Sequence, residues 1–288
     1  MSLPQKILNS EVGRRRRYVR TGSMEGVFSG KEAYRQHFDP KGFFNVYMLC
    51  GSMNSSDCDP IYAFLQEMLH KTFLVDGIQG DTLIDIGSGP SIYQLLSACE
   101  SFKEIIATDL LEQNRAELRK WLKKDPEALD WTPMVKYTCQ LEGNREKWKE
   151  KEEKLRRTIK QVLPCDVTLA NPLDPLVLQP VDAVISTFCL ESACDDLPTY
   201  CSAMKNVGSL VKPGGHLIFA AIMEENYYMV GSHKFGCLYL MPEMVRDAVK
   251  GAGFEILWSQ GFGLTSLPSN CDAKGTFFLV AKKPSESQ

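Results

Sequence analysis

The sequence predicts an α/β protein: a mainly parallel sheet with helices on both faces. Short apolar strands alternate with helical segments from residue 81 onward, the pattern of repeated β-α-β units. The first of these strands runs into a glycine turn, the place where open α/β sheets hold ligands. Hydrophobic residues make up 44% of the 288 residues, enough for a large buried core.

Residues 1–28 read as a basic tail. Arg14, Arg15, Arg16 and Arg17 are followed by Tyr18, Val19 and Arg20, with little apolar periodicity. Such a stretch reads as a solvated, disordered extension, or as a targeting or anionic-surface element. Residues 29–288 read as the folded domain, divided into a helical cap (29–80) and a core (81–288). In the cap, Tyr34, Phe38, Phe43, Phe44 and Tyr47 recur at mixed helical spacings, and Ile61, Leu65, Met68, Leu69 and Phe73 follow an amphipathic 3-4 pattern. The stretch 50–60 between them, rich in Gly, Asn, Ser and Asp, reads as a loop.

In the core, 82–86 is a short apolar strand and 92–98 a helix. A second strand, 104–108, ends at Asp109, and a second helix covers 114–124. A charged helix is expected over 149–162, with Leu155, Ile159 and Val162 on one face. Then come a strand at 181–188, a helix near 199–210, the turn Pro213-Gly214-Gly215, a strand at 216–221, and closing strands at 255–258 and 276–281.

Composition narrows the function. The net charge of −3 lacks the basic excess of nucleic-acid binders. The apolar stretch 217–223 is far too short to span a bilayer, and the N-terminus has no apolar signal region. The ten cysteines form no Cys-x-x-Cys pair, and no histidines have metal spacing, so no metal site is expected. They read as reduced thiols serving as small apolar residues. The expectation is a cytoplasmic monomer acting on a small molecule, with neither nucleic acid nor membrane as partner.

The segment Leu83-Ile84-Asp85-Ile86-Gly87-Ser88-Gly89-Pro90-Ser91 carries the most chemistry. Its glycines permit positive φ and close approach of a ligand. A dinucleotide fingerprint needs a third glycine at position 92, which is Ile92. A dehydrogenase reading is weakened accordingly. Asp85, ahead of the first glycine, instead suits a cofactor with an amino group, such as that of methionine, met directly or through water. Asp109 can accept hydrogen bonds from both hydroxyls of a ribose. Asp166, in Cys165-Asp166-Val167, stands where the amino group of an adenine is read.

With these motifs in place, the chain resembles the vertebrate family of nicotinamide, phenylethanolamine and indolethylamine N-methyltransferases. The resemblance rests on 83–90, on Ile92-Tyr93-Gln94-Leu95-Leu96-Ser97-Ala98-Cys99, on Trp121-Leu122-Lys123-Lys124 and on Leu141-Glu142-Gly143-Asn144. It rests also on Lys151-Glu152-Glu153-Lys154-Leu155-Arg156, on Lys212-Pro213-Gly214-Gly215 and on 34–40, and it covers nearly the whole chain from Met24. It implies a class I methyltransferase (Rossmann-like) fold, a seven-stranded sheet under an N-terminal helical cap, with S-adenosyl-L-methionine as cofactor. It further implies cofactor contacts at Gly87, Ser88, Gly89, Tyr93, Asp109, Leu110, Asn114, Asp166, Val167 and Thr187, with Phe43 and Tyr47 covering the cofactor from the cap. A nitrogen-bearing small molecule is the implied acceptor.

Departures from the family pattern bear on that acceptor. The family's cap usually has tyrosine where this chain has Phe43. The nicotinamide enzyme has an aspartate at the position of Ala221 and a serine at that of Cys237, and these two groups recognise the carboxamide. A missing charged hydrogen bond costs about 1.5–3 kcal/mol, so nicotinamide is not the expected best acceptor. Glu191 and Glu225 correspond to two glutamates that the phenylethanolamine enzyme sets beside its substrate amine, and here they are the expected catalytic pair. Their plain alternative is a helix cap and a surface loop. Cys271 replaces an aspartate of that enzyme. Phe43, Phe188, Ala221, Tyr228, Cys237 and Cys271 are the expected acceptor contacts, with Tyr227 as a further candidate for an aromatic wall. A non-catalytic cofactor-binding protein of the same fold is the alternative reading.

Overall fold

A computed structural model describes residues 29–48, 60–265 and 269–285. The basic tail, and the loop read at 50–60 apart from Pro60, lie outside the described residues. In chain order the strands are β1 (Gly80–Ile86), β2 (Phe102–Asp109), β3 (Ile159–Pro164), β4 (Val181–Thr187), β5 (Val211–Met223), β6 (Tyr227–Val230), β7 (His233–Gly236), β8 (Glu255–Gly263) and β9 (Gly275–Lys282). The helices are α1 (Lys31–His37), α2 (Pro40–Phe43), α3 (Pro60–His70), α4 (Glu112–Leu122), α5 (Thr132–Leu141), α6 (Trp148–Thr158), α7 (Leu190–Ala193), α8 (Leu197–Ser209) and α9 (Pro242–Gly251).

Seven strands form one sheet in the order β3-β2-β1-β4-β5-β9-β8. The first five are parallel, and β9 runs antiparallel between β5 and β8. The pleat sends alternate residues to opposite faces. Leu83, Ile105, Ala183, Ile218 and Phe278 pack in one layer with Leu65 of α3, Val135 of α5 and Leu155 of α6. Ile84, Val184, Phe219 and Leu279 pack in the other with Met204 of α8 and Val245 of α9. Each fully buried aliphatic side chain of this kind contributes about 1.5–3 kcal/mol. The strand order reverses beside β1: the chain goes outward to β2 and β3, then returns to β4 on the other side. Ligands of such sheets bind at that switch point, outside the carboxyl ends of the strands.

Several elements differ from the sequence expectation. The stretch 92–98 forms short 3-10 turns at Tyr93–Leu95 and Ala98–Glu100, not a helix. Every residue from Ile92 to Cys99 is buried, so it has no amphipathic face to favour a regular helix. Gln94 Nε2 also ties the turn to Asp85 Oδ2 at 2.8 Å and to the carbonyls of Ser88 and Ser91. The charged helix stops at Thr158, and the next residues are β3. Ile159 and Val162 are β-branched and pair with β2, so pairing wins over the continuing 3-4 spacing. Pro213, Gly214 and Gly215 lie within β5, where the register with β4 shifts.

Besides β3 and the four-residue helix α7, three further elements went unread. One is α5. Another is α9, which starts at Pro242 and buries Val245, Ala248 and Val249. The third is the hairpin β6–β7, turning at Gly231-Ser232. The first part of the cap, from α1 to Tyr47, rests on this hairpin, while α3 packs on the sheet. Tyr34 of α1 meets Phe235 at a ring distance of 4.7 Å, and Phe38 meets it edge-on at 5.8 Å. The Tyr47 hydroxyl donates to Met229 O at 2.9 Å and accepts from Met229 N at 3.2 Å.

Candidate active site

The carboxyl ends of β1, β2, β3 and β4 open into a cavity of about 280 Å³, roofed by the cap. Its floor is the turn after β1. Gly87 and Gly89 hold φ of +70° and +61°, a region that costs other residues strain. A Cβ at Gly87 would stand 2.3 Å from Cys189 Sγ, so no side chain fits between this turn and α7. Ser88 N donates to Thr108 O at 2.8 Å and Ser88 Oγ accepts from Thr108 N at 3.1 Å, which fixes the turn to the end of β2.

Asp109 is almost fully buried and lines the cavity. Its Oδ2 accepts from Gly89 N at 2.8 Å, and its Oδ1 accepts from Leu111 N at 2.8 Å and Asn114 Nδ2 at 3.0 Å. A carboxylate has about four acceptor positions. Three are taken, so one is left, on Oδ2, where the sequence reading expected two hydroxyls to bind. Burial raises its pKa against these hydrogen bonds. Tyr93 is buried, with its hydroxyl 3.1 Å from Thr187 Oγ1.

Asp85 is brought close to the site but not into it. It has no solvent exposure and is absent from the cavity wall. Burial pushes its carboxyl up to about 7. One oxygen takes the Gln94 amide, and the other has no partner among the described residues. Asp85 thus braces the turn from behind, which displaces the expectation of direct contact with an amino group.

The two glutamates meet in the cavity. Glu191, in α7, is 1% exposed, and Glu225 is 6% exposed. Glu191 Oε1 accepts from Ile222 N at 2.8 Å, while its Oε2 has no partner among the described residues. Glu225 Oε2 accepts from Cys237 Sγ at 3.2 Å, and the Cys271 thiol also opposes the rise of its pKa. Burial pushes Glu191 up to about 8 and Glu225 up to about 7. Neither is therefore the helix cap or surface group of the plain alternative. Both residues that introduce them, Phe188 (φ +58°) and Glu224 (φ +54°), sit in the left-handed region, at a cost of order 1–3 kcal/mol each.

Other expected residues divide. Phe43, Tyr47, Leu110, Asn114, Asp166, Val167, Thr187, Phe188, Tyr228 and Cys271 line the cavity with the glycine turn. Ala221 does not: it is buried in the opposite layer of the sheet, and Ile222 takes the cavity side. Cys237 stands behind Glu225 rather than on the wall, and Tyr227 lies outside, under the Lys234 ammonium. The sequence reading missed Lys31, Tyr34 and Ser192, which line the cavity. Tyr228 donates its hydroxyl to that of Tyr34 at 2.9 Å, joining hairpin to cap.

Comparison with known proteins decides the lineage. The family model described as the NNMT/PNMT/TEMT family matches residues 26–284. The chain belongs to this family. Nicotinamide N-methyltransferase of Homo sapiens is 52% identical over 260 residues, covering 90% of this chain and 98% of that protein. Indolethylamine N-methyltransferase of Oryctolagus cuniculus is 49% identical over 264 residues, with 90% and 98% covered. Phenylethanolamine N-methyltransferase of Macaca mulatta is 38% identical over 272 residues, with 91% and 94% covered. Among solved structures, magnesium protoporphyrin IX methyltransferase of Synechocystis PCC 6803 with bound S-adenosylhomocysteine shares the fold. Its TM-score is 0.56 at 12% identity, over 88% of this chain and 99% of that one. Family membership and this fold confirm the class I methyltransferase architecture expected from the sequence.

The site's buried carboxyls carry a stability signature. Asp85, Glu191 and Glu225 have folded pKa values of about 7, 8 and 7, above their ordinary 3.8 to 4.5. The folded state therefore holds protons that the unfolded chain has lost. Stability from these groups is fully present below the unfolded values and is lost as pH rises through the folded ones. The ligand-free melting temperature is expected to fall between pH 5.5 and 8.5, and to fall less in Glu191→Gln. A midpoint that climbs over this range would contradict the assignment.

Proposed function

We propose that this family member transfers the methyl group of S-adenosyl-L-methionine to the nitrogen of a small acceptor, and that it favours a cationic amine over a carboxamide. The observation that carries this reading is the pair of buried glutamates on the wall that also holds the glycine turn. The turn borders the same cavity, and Cys189, packed where a Gly87 Cβ would stand, fixes its shape. Glu191 Oε2 is a buried acceptor awaiting a donor.

When bound, S-adenosyl-L-methionine supplies an electrophilic methyl on a sulfonium, with a neutral thioether as leaving group. The protein's part is alignment, exclusion of water and handling of one proton. Gly87, Ser88, Gly89, Asp109, Asn114, Asp166 and Thr187 hold the cofactor, under Tyr47 and Phe43. Phe43, Phe188 and Tyr228 wall the acceptor. An alkylammonium has no lone pair until an N–H bond breaks. Glu191 and Glu225, poised near neutrality, hold the cation and take that proton. The freed nitrogen lone pair would then face the methyl group of a cofactor held by the glycine turn, Asp109 and Asp166, the acceptor being kept in line by Phe43, Phe188 and Tyr228.

Ala221 is turned into the opposite layer of the sheet and Cys237 is spent on Glu225, so neither position presents a polar group to a carboxamide. The setting proposed with this function is a cytoplasmic monomer without nucleic-acid or membrane partners. The eight described cysteines, all free thiols, and the net charge of −3 support it, and no described helix is long and apolar enough to cross a membrane. The test is methyl transfer from labelled cofactor to tryptamine, phenylethanolamine, pyridines, thioethers and nicotinamide. The amines are expected to show kcat/KM about tenfold or more above nicotinamide, as one lost charged hydrogen bond implies. Preference for nicotinamide would overturn the acceptor assignment, and binding without turnover on any of them would favour a non-catalytic role.

A further inference from the structure

Lys31 begins the first cap helix, yet its ammonium reaches a loop 135 residues away. Its Nζ donates to Asp166 Oδ2 at 2.5 Å and to Thr168 Oγ1 at 2.6 Å. Asp166 Oδ1 accepts from Thr168 N at 3.1 Å and Thr168 Oγ1 at 2.7 Å. Three of the carboxylate's four acceptor positions are thus occupied. The fourth is on Oδ2, and both Asp166 and Lys31 line the cavity.

We propose that Lys31 is a positioning residue for nucleobase recognition, holding Asp166 so that its one remaining acceptor position meets the exocyclic amino group of the cofactor's adenine. The inference rests on the cofactor reading above and adds a residue to it. A carboxylate on a loop rotates freely about its own axis. Pinned on one oxygen by Thr168 and on the other by a cation, it has a single orientation, and the entropy of fixing it is settled before the ligand arrives. The same cation counters burial and holds the Asp166 carboxyl below its usual range, so it stays a pure acceptor. Because Lys31 belongs to the cap, nucleobase reading and cap placement share one ion pair.

The test is calorimetric binding of S-adenosylhomocysteine, and of its purine analogue with hydrogen in place of the amino group, to the full chain. Lys31→Met is expected to weaken the adenosyl ligand about tenfold and the deamino analogue hardly at all, so the preference between them shrinks. Lys31→Arg, which keeps a charge and donors, is expected to stay within about threefold of wild type. Asp166→Asn is expected to weaken the adenosyl ligand, and adding Lys31→Met to it is expected to cost nothing further. Equal weakening of both ligands by Lys31→Met would reduce Lys31 to a structural tether and overturn the inference. An Asp166→Asn protein that binds both ligands like wild type would overturn the adenine reading itself.

Discussion

Glu191→Gln is expected to lower turnover of a primary amine by about a hundredfold or more, the scale on which positioned general bases act. The substituted amide would keep an acceptor for Ile222 N but could not take a proton. Turnover of a pyridine, whose nitrogen already has its lone pair, is expected to change by less than about fivefold, because only alignment is disturbed. The wild-type amine reaction has a matching pH dependence. Glu225 and Glu191 titrate at about 7 and about 8 in the free protein, so kcat/KM is expected to rise with pH through this range and then level off. Glu191→Gln removes the upper part of that rise. The decisive measurement is the pH profile of both acceptors in both proteins. An amine profile flat from pH 6 to 9 in wild type, or equal losses on amine and pyridine in the variant, would remove proton transfer from Glu191's role.

Gly87→Ala is expected to abolish cofactor binding, by about a hundredfold or more. The added Cβ would lie 2.3 Å from Cys189 Sγ and 2.5 Å from Cys189 Cβ, and it would do so at φ +70°. Cys189 cannot simply retreat, since it directly precedes α7 and Glu191. The steric and conformational parts separate experimentally. In Gly87→Ala with Cys189→Gly the clash is gone and only the left-handed penalty of about 1–3 kcal/mol remains, so binding is expected to recover in part. Calorimetry with S-adenosylhomocysteine, alongside urea unfolding to confirm that each variant is folded, reads both effects. Binding by Gly87→Ala within about threefold of wild type would mean that the turn yields and the ligand does not press on it.

The sheet and the glycine turn were legible because their signals are local. An apolar run ending in Gly-x-Gly needs nothing from elsewhere in the chain, and Asp109 ends the next such run; Asp166 was read from its Cys-Asp-Val setting although β3, the strand that leads to it, went unread. What failed was decided by distant partners. Ile159 and Val162 satisfy a helix pattern as well as a strand, and only pairing with β2 chooses. Asp85 has the right chemistry for an amine, but Gln94 and complete burial turn it inward. Ala221 and Ile222 are adjacent, and the pleat alone determines which one faces the cavity. The hairpin is a different case. Gly231-Ser232 between two β-prone runs is a turn signal that was available, as was the Val245, Ala248, Val249 spacing of α9. Lys31 gave no local sign, since its partner is 135 residues away.

The placement of β9 between β5 and β8 has a consequence for how the protein is made. The central strand of that trio is the last to be synthesised. Until Gly275–Lys282 emerges, β5 and β8 have no partner on their facing edges, and unpaired edges invite association with other chains. The nascent chain can assemble its cofactor turn and the five parallel strands early. It must then wait for one late segment to close the gap, so the interval between the two is when the polypeptide most needs protection.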